Sequence, residues 1–432
     1  MRIFLSDYLQ ALRLFSHDVR MYLLTAAVFG FTNFGFVTVL LNLYLLRLGY
    51  GTAFIGLVNS ATALAFALTS LPSGAIGSRW GYRRIVVAGV SLVGVGTILL
   101  PLTNYLPGAG RDAGIVATRL LTGLGFSFYF VNANPYLVAA TRPRERTYVF
   151  SMQVGLMPLA GFAGSLIAGV LPGFFAAWMG VSEDHPGPFG ISIIVAGLLI
   201  LPAIFALLST QKVTVSQSAP SSAANPKATA LPILLVFFLA VAAMLRMTGE
   251  GAARSFFNVY LDVGLGETTT RIGLLAAFGQ LAAGPAAMAA PILAERLGKI
   301  SAIVISTLAT AASLLLMGLF PHWTVVGLGF AGVIGMRAIT QSVASVVQME
   351  IVPERWRGTT SGIISMAMGS GFTSMALGGG FLIPIIGFQW LYFIAAALVT
   401  ASSLLFWFYF RVPRGEYTEE DYARPEPVAA NS

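Results

Sequence analysis

Arg246, Glu250 and Arg254 recur every four residues within one long segment that is otherwise apolar. On an α-helix advancing about 100° per residue they share an arc of about 80°, and Asn258 carries the stripe one turn further. Guanidinium groups form forked hydrogen bonds to carboxylate or phosphate oxygens. A carboxyl group that moves between apolar surroundings and a guanidinium neighbour can take up and release a proton. Arg119 and Arg337 also fall inside apolar segments, so four cations stand against Glu250, the one acid well inside such a segment. An anionic substrate would balance that excess. Each charge at the centre of a membrane helix costs about 2.5–3.5 kcal/mol on insertion scales, which implies a polar cavity around these residues. Asn33, Asn42, Tyr44 and Tyr260 add neutral hydrogen-bonding groups. Asn33 and Asn42 lie nine positions apart on opposite faces of a regular helix, so only one of the two can look into a common cavity.

Plainer roles compete with these. Glu250 can neutralise both helical neighbours as a self-contained ladder. Arg337 can snorkel or cap a carbonyl, and the asparagines can bond between helices. Against a purely structural ladder, buried ion pairs are often replaced by apolar residues at little cost.

The chain has no cysteine, which excludes disulfides, thiolate metal sites and cysteine nucleophiles. His17, His185 and His322 fall in a polar terminus or in connections, and no nucleophile and base stand together. An enzyme is therefore not expected, nor a metal or cofactor; the energy source would be a proton gradient. The net charge of +8 follows from membrane orientation and calls for no nucleic-acid partner.

These residues need helices that cross a bilayer. Of the 432 residues 56% are hydrophobic and 10% charged, too little charge to solvate a globular exterior. The apolar segments predict twelve spans, at 21–46, 53–77, 85–106, 114–140, 148–173, 188–209, 231–261, 271–293, 300–320, 324–351, 359–386 and 390–410. Gly387-Phe388-Gln389-Trp390 divides the last pair, and Pro321-His322-Trp323 divides the pair before. The first segment is too long for a signal-peptide core and reads as a retained span. Lys and Arg gather on the side that holds both termini, leaving Arg47, Arg111 and Arg271 on the other. Both termini are accordingly expected in the cytoplasm. Trp80, Trp178, Trp323, Trp356 and Trp390 lie near the proposed interfaces as an aromatic belt.

The fold class is thus all-α integral membrane, twelve helices as two six-helix bundles related by duplication. Residues 1–210 form one half and 231–410 the other. Between them lies a flexible Ser-, Pro- and Ala-rich cytoplasmic linker, 211–230, and 411–432 is expected as a disordered cytoplasmic tail. Leu40-Leu41-Asn42-Leu43-Tyr44-Leu45 reappears as Phe256-Phe257-Asn258-Val259-Tyr260-Leu261. Ile55-Gly56-Leu57 reappears as Ile272-Gly273-Leu274, and Arg79-Trp80-Gly81 as Arg296-Leu297-Gly298. Two halves of this kind suit a carrier that rocks around a site at the bilayer midplane.

The loop Gly74-Ala75-Ile76-Gly77-Ser78-Arg79-Trp80-Gly81-Tyr82-Arg83-Arg84 resembles the signature loop of the major facilitator superfamily, and the resemblance covers essentially the whole chain. It departs at Ser78, where an acid is usual, and Ala140 supplies no acidic partner. The resemblance implies a cytoplasmic gate from Gly74, Arg79, Gly81, Arg83 and Arg84. In the second half Glu295, Arg296 and Gly298 form the matching copy, with Glu350 as a charge partner. Arg119-Leu120-Leu121-Thr122-Gly123-Leu124-Gly125 is similar to the family's Arg-x-x-x-Gly-x-Gly pattern, which drug-exporting branches link to proton coupling. Gly155-Leu156-Met157-Pro158-Leu159-Ala160-Gly161 partly matches an antiporter motif. By the same resemblance the first, fourth, seventh and tenth helices line a central cavity. The expected site is then Arg119, Arg246, Glu250, Arg254 and Arg337, with Asn258, Tyr260 and Asn33.

The leading expectation is a secondary active transporter of small organic molecules, exporting them against proton entry by alternating access. An organic-anion carrier, coupled or facilitative, is the alternative that the intramembrane arginines favour. A sensor or scaffold that does not transport is more remote. The expected partners are a small-molecule substrate and the lipid bilayer of a plasma or bacterial inner membrane, with the monomer as the working unit.

Overall fold

The computed structural model describes residues 15–141, 146–211, 233–352 and 356–411, and no strand occurs among the described residues. Apart from Gln211 and Arg411, the expected linker and tail lie outside them. The first half comprises α1 (His17–Arg47), α2 (Thr52–Trp80), α3 (Tyr82–Leu102), α4 (Ala109–Ala140), α5 (Arg146–Met179) and α6 (Pro186–Leu208). In the second half α7 is Ile233–Gly264, α8 Thr269–Leu297, α9 Lys299–Leu319 and α10 Trp323–Ile351. Arg357–Phe410 is one helical stretch of 54 residues broken at Gly387, whose φ of 80° leaves the helical region. The glycine makes two spans, α11 (357–386) and α12 (388–410), and brings the total among the described residues to the expected twelve.

The helix ends follow local chemistry. Ser16 and Thr268 accept from the backbone amides of Val19 and Arg271 and so cap α1 and α8. Gly81 and Gly298, matched in the sequence repeat, turn α2 into α3 and α8 into α9 with φ of 95° and 83°. Two irregularities were not expected: α1 is π-helical over Gly30–Val37, and α7 ends in a π-helical turn, Tyr260–Gly264. Such widened turns change the angular phase of the residues that follow.

Because every second helix returns, α1 begins and α12 ends on one face, termed here the terminus face. On the far face a single apolar core joins both halves through Phe36, Leu40 and Val58 on one side and Phe256, Phe257 and Phe330 on the other. Nearer the terminus face the buried apolar clusters separate. One, around Tyr22, Phe29 and Tyr129, belongs to the first half, and the other, around Leu239, Ile339 and Phe406, belongs to the second.

Hydrogen bonds between the halves strengthen the far face. Asn42 Nδ2 donates to the Ser255 carbonyl at 2.8 Å, and Asn258 Nδ2 donates to the carbonyls of Thr38 and Val39 at 2.6 and 3.2 Å. Superposing the repeat on Asn42 and Asn258 also matches Val39 to Ser255, so α1 and α7 exchange equivalent bonds across a pseudo-twofold. Asn59 on α2 donates to Asn42 Oδ1 at 2.9 Å and holds that amide in its donating orientation. Between α5 and α8 the backbones touch at Gly169 and Gly273. Outward, Trp80, Trp178 and Trp390 are exposed, as an interfacial belt requires.

Candidate functional site

Glu250 sits near the middle of α7 and is 6% exposed. Its Oε1 accepts from Arg254 Nε at 2.6 Å, one turn along the same helix. Its Oε2 forms an ion pair with Arg337 Nε, at the middle of α10. The acid therefore ties two helices together, which a ladder confined to α7 would not do. Arg254 also lies over the Phe34 ring of α1, 5.9 Å from its centroid, and Gln280 on α8 donates to the Phe34 carbonyl at 3.1 Å.

Arg246 forms neither an ion pair nor a hydrogen bond among the described residues. It lines a small cavity of about 20 Å³ inside the second half together with Glu250, Thr310, Arg337, Thr340 and Gln341. Arg119 on α4 is 5% exposed, and its Nε has no hydrogen-bond partner among the described residues. No acid among the described residues pairs with it. Packing explains its burial: one turn on, Gly123 lets α4 approach Thr62 and Ala65 of α2 closely. A guanidinium out of water and without a counter-ion is costly, so two unmatched positive groups remain once Glu250 has been shared between Arg254 and Arg337. Their chemistry is the recognition of negative oxygen.

The neutral residues divide differently from the expectation. Asn258 is taken up by the α1–α7 clamp rather than offered to a ligand. Tyr260 packs against Phe388 and Tyr392 near the far face, ring centroids 5.1 and 5.7 Å away, and its buried hydroxyl has no hydrogen-bond partner among the described residues. Asn33, within the π-helical stretch, donates to Thr32 Oγ1 at 3.1 Å, while its Oδ1 is buried without a partner.

The residues expected at the gate are placed individually. Arg83 donates to the carbonyls of Leu207 and Leu208 and to Thr210 Oγ1, which caps the end of α6 inside its own half. Gly74 packs beside Val131 of α4, while Arg79 and Arg84 are exposed. Glu350 pairs with Lys299 across α9 and α10, and Glu295 and Arg296 are exposed beside the Gly298 turn. Neither pair of contacts crosses between halves.

The charge contact that does cross lies on the far face. Arg47, at the end of α1, donates through both Nη atoms to the two oxygens of Asp262 on α7, each at 2.7 Å, and its Nε lies 3.1 Å from Asp184. Sequence reasoning used Arg47 only as a topology marker and singled out Glu250 as the one acid well inside an apolar segment, leaving Asp262 aside. The usable signal was that each stands a few residues beyond one of the repeated asparagines, so the two ends converge wherever the asparagines do.

The model of the Major Facilitator Superfamily matches residues 22–248 and again residues 239–430. The voltage-gated purine nucleotide uniporter of Rattus norvegicus is 28% identical over 124 residues, 28% of this chain and 28% of that protein. A probable chloroplastic anion transporter of Arabidopsis thaliana is 30% identical over 123 residues, 28% of this chain and 23% of the relative. These matches thus span under a third of either relative's length. In fold the chain resembles the crystal structure of a bacterial homologue of the human lysosomal transporter Spinster, in an inward-facing and occupied conformation. The TM-score is 0.71 at 15% identity, over 94% of this chain and 98% of that one.

Proposed function

Because the chain belongs to the Major Facilitator Superfamily, a family of membrane transporters rather than enzymes, we propose that it carries small organic anions by alternating access. The observation that carries this is the pair of unmatched arginines, Arg246 beside the Glu250 cavity and Arg119 buried in the first half. An anion that reaches the cavity between α7, α9 and α10 meets Arg246 and competes with Glu250 for Arg337, whose side chain is 38% exposed. Neutralising those groups offsets their desolvation. The nucleotide and anion carriers among the relatives agree with this preference.

The excess of Lys and Arg at the terminus face supports a cytoplasmic position for both termini. The shared far-face core and the separate terminus-face cores then correspond to a state closed toward the outside. Glu250 supports a second reading, proton-linked export of organic molecules. A proton on this acid frees Arg254 and Arg337 together, so proton uptake changes the contact between α7 and α10.

Thermal melting of the purified chain tests the choice, since a ligand that binds the folded state stabilises it by RT ln(1 + [L]/Kd). Organic anions, lipophilic cations and neutral sugars are compared at two pH values. Stabilisation by anions that Arg246→Ala removes is the expected result. Stabilisation by cations or neutral amphiphiles that Glu250→Gln removes would favour proton-linked export instead.

A further inference from the structure

Phe34 of α1 is a place where the first half reaches the charged site of the second. Two of the described contacts between the halves meet on this residue. Its ring lies 5.9 Å from the guanidinium carbon of Arg254, and its carbonyl accepts from Gln280 of α8 at 3.1 Å. Gln280 is buried and the carbonyl belongs to the π-helical stretch Gly30–Val37, so this bond fixes the widened backbone of α1 against α8. The other side of the ring is rooted in the first half. It packs edge-on to Phe130 of α4 with centroids 6.4 Å apart, and a Cβ added at Gly161 of α5 would come within 3.2 Å of the Phe34 Cβ.

Glu250 sets the second half's side of the contact. Its Oε1 holds Arg254 Nε at 2.6 Å while its Oε2 pairs with Arg337. Arg254 is thus anchored by a carboxylate of its own helix and presented to a ring of the opposite half. Without the negative charge the guanidinium loses that anchor, its side chain regains rotamer freedom, and the attraction to the ring is no longer enforced. We propose that Phe34 is a positioning residue that carries the charge state of Glu250 across to the first half. While ionised Glu250 holds Arg254, the contact with Phe34 adds to the forces that keep the far face closed. When Glu250 releases Arg254 that contribution is lost, and the halves part more readily. The assignment goes beyond the anion-carrier reading and involves no substrate, so it holds for either cargo.

The test is a double-mutant cycle on far-face opening, read in the full chain in sealed vesicles. Ser255→Cys gives the cysteine-free chain one thiol, buried beside the Asn42 bond, and a membrane-impermeant reagent at the far face labels it on opening. Phe34→Leu should accelerate labelling about 5- to 30-fold more with Glu250 intact than in the Glu250→Gln background, as about 1–2 kcal/mol for a largely desolvated cation–π contact implies. Lost packing against Phe130 acts alike in both backgrounds and cancels in that ratio. Phe34→Tyr, which keeps the ring, should label at the wild-type rate. Phe34→Met repeats the cycle with unbranched bulk should the leucine variant not fold. Equal acceleration in the two backgrounds, or none in either, would overturn the assignment and leave the anion-carrier reading untouched. Failure of every organic anion to bind would remove that reading and leave this one standing.

Discussion

Asp262→Asn should release the far face. Asp262 is 9% exposed and Arg47 17%, and the two share a two-pronged contact with both bonds at 2.7 Å. The amide keeps one acceptor but loses the charge and one arm of the fork, leaving the Arg47 guanidinium half-satisfied in a largely dry place. Charge-assisted hydrogen bonds contribute about 1.5–3 kcal/mol, so the loss to the closed state should be about 2–3 kcal/mol, or about 30- to 150-fold in the ratio of closed to open. Asp184 provides the internal control. Although only 3.1 Å from Arg47, it is 81% exposed, so Asp184→Asn should shift the ratio less than about fivefold. The chain has no cysteine, so Ser255→Cys introduces a single thiol at a position fully buried beside the asparagine clamp. Its labelling by a membrane-impermeant reagent added at the far face reports opening. Asp262→Asn should accelerate labelling by the factor above, and adding Arg47→Gln to it should accelerate it little more, since the two residues share one interaction. Equal labelling rates in the Asp262→Asn and Asp184→Asn backgrounds would refute the assignment of the closed state to this ion pair.

Three further outcomes are expected. Asn42→Ala and Asn258→Ala should each favour opening by about 0.5–1.5 kcal/mol for every hydrogen bond lost between the halves, one for Asn42 and two for Asn258; the same labelling assay measures this. Arg246→Ala should weaken substrate binding more than Arg254→Ala, because Arg254 is already committed to Glu250 while Arg246 is free; titration calorimetry on both variants decides it. Glu250→Gln should leave a folded protein that no longer accumulates substrate in response to a pH gradient, and unaltered pH-dependent uptake in vesicles would remove this acid from coupling.

Much of the fold was legible because apolar segments long enough to cross a bilayer leave little choice of structure. Even the break within Arg357–Phe410 announced itself through a glycine followed by an interfacial tryptophan. The repeated asparagines were also visible, but their purpose was not. Helical phase set Asn33 and Asn42 on opposite faces of a regular helix, whereas the π-helical stretch Gly30–Val37 between them alters that phase. At the charged site, spacing of four offered Glu250 both Arg246 and Arg254 as partners, and only Arg254 is bonded. It could not reveal Arg337, since which side chain of α10 meets α7 depends on packing between helices separated by most of a half. Arg83 shows the converse problem. Its place in a familiar loop suggested a gate between halves, yet its reach is satisfied locally by the open carbonyls at the end of α6.

The most direct measurement is uptake of a labelled organic anion, chosen by the melting comparison, into proteoliposomes containing only this chain, with the wild type and Arg246→Ala compared at matched incorporation. Anion carriage through the unpaired arginine predicts saturable uptake that competing organic anions inhibit, that lipophilic cations leave alone and that falls at least tenfold in Arg246→Ala. Uptake equal in the two proteins, or inhibited by cations and not by anions, would contradict it.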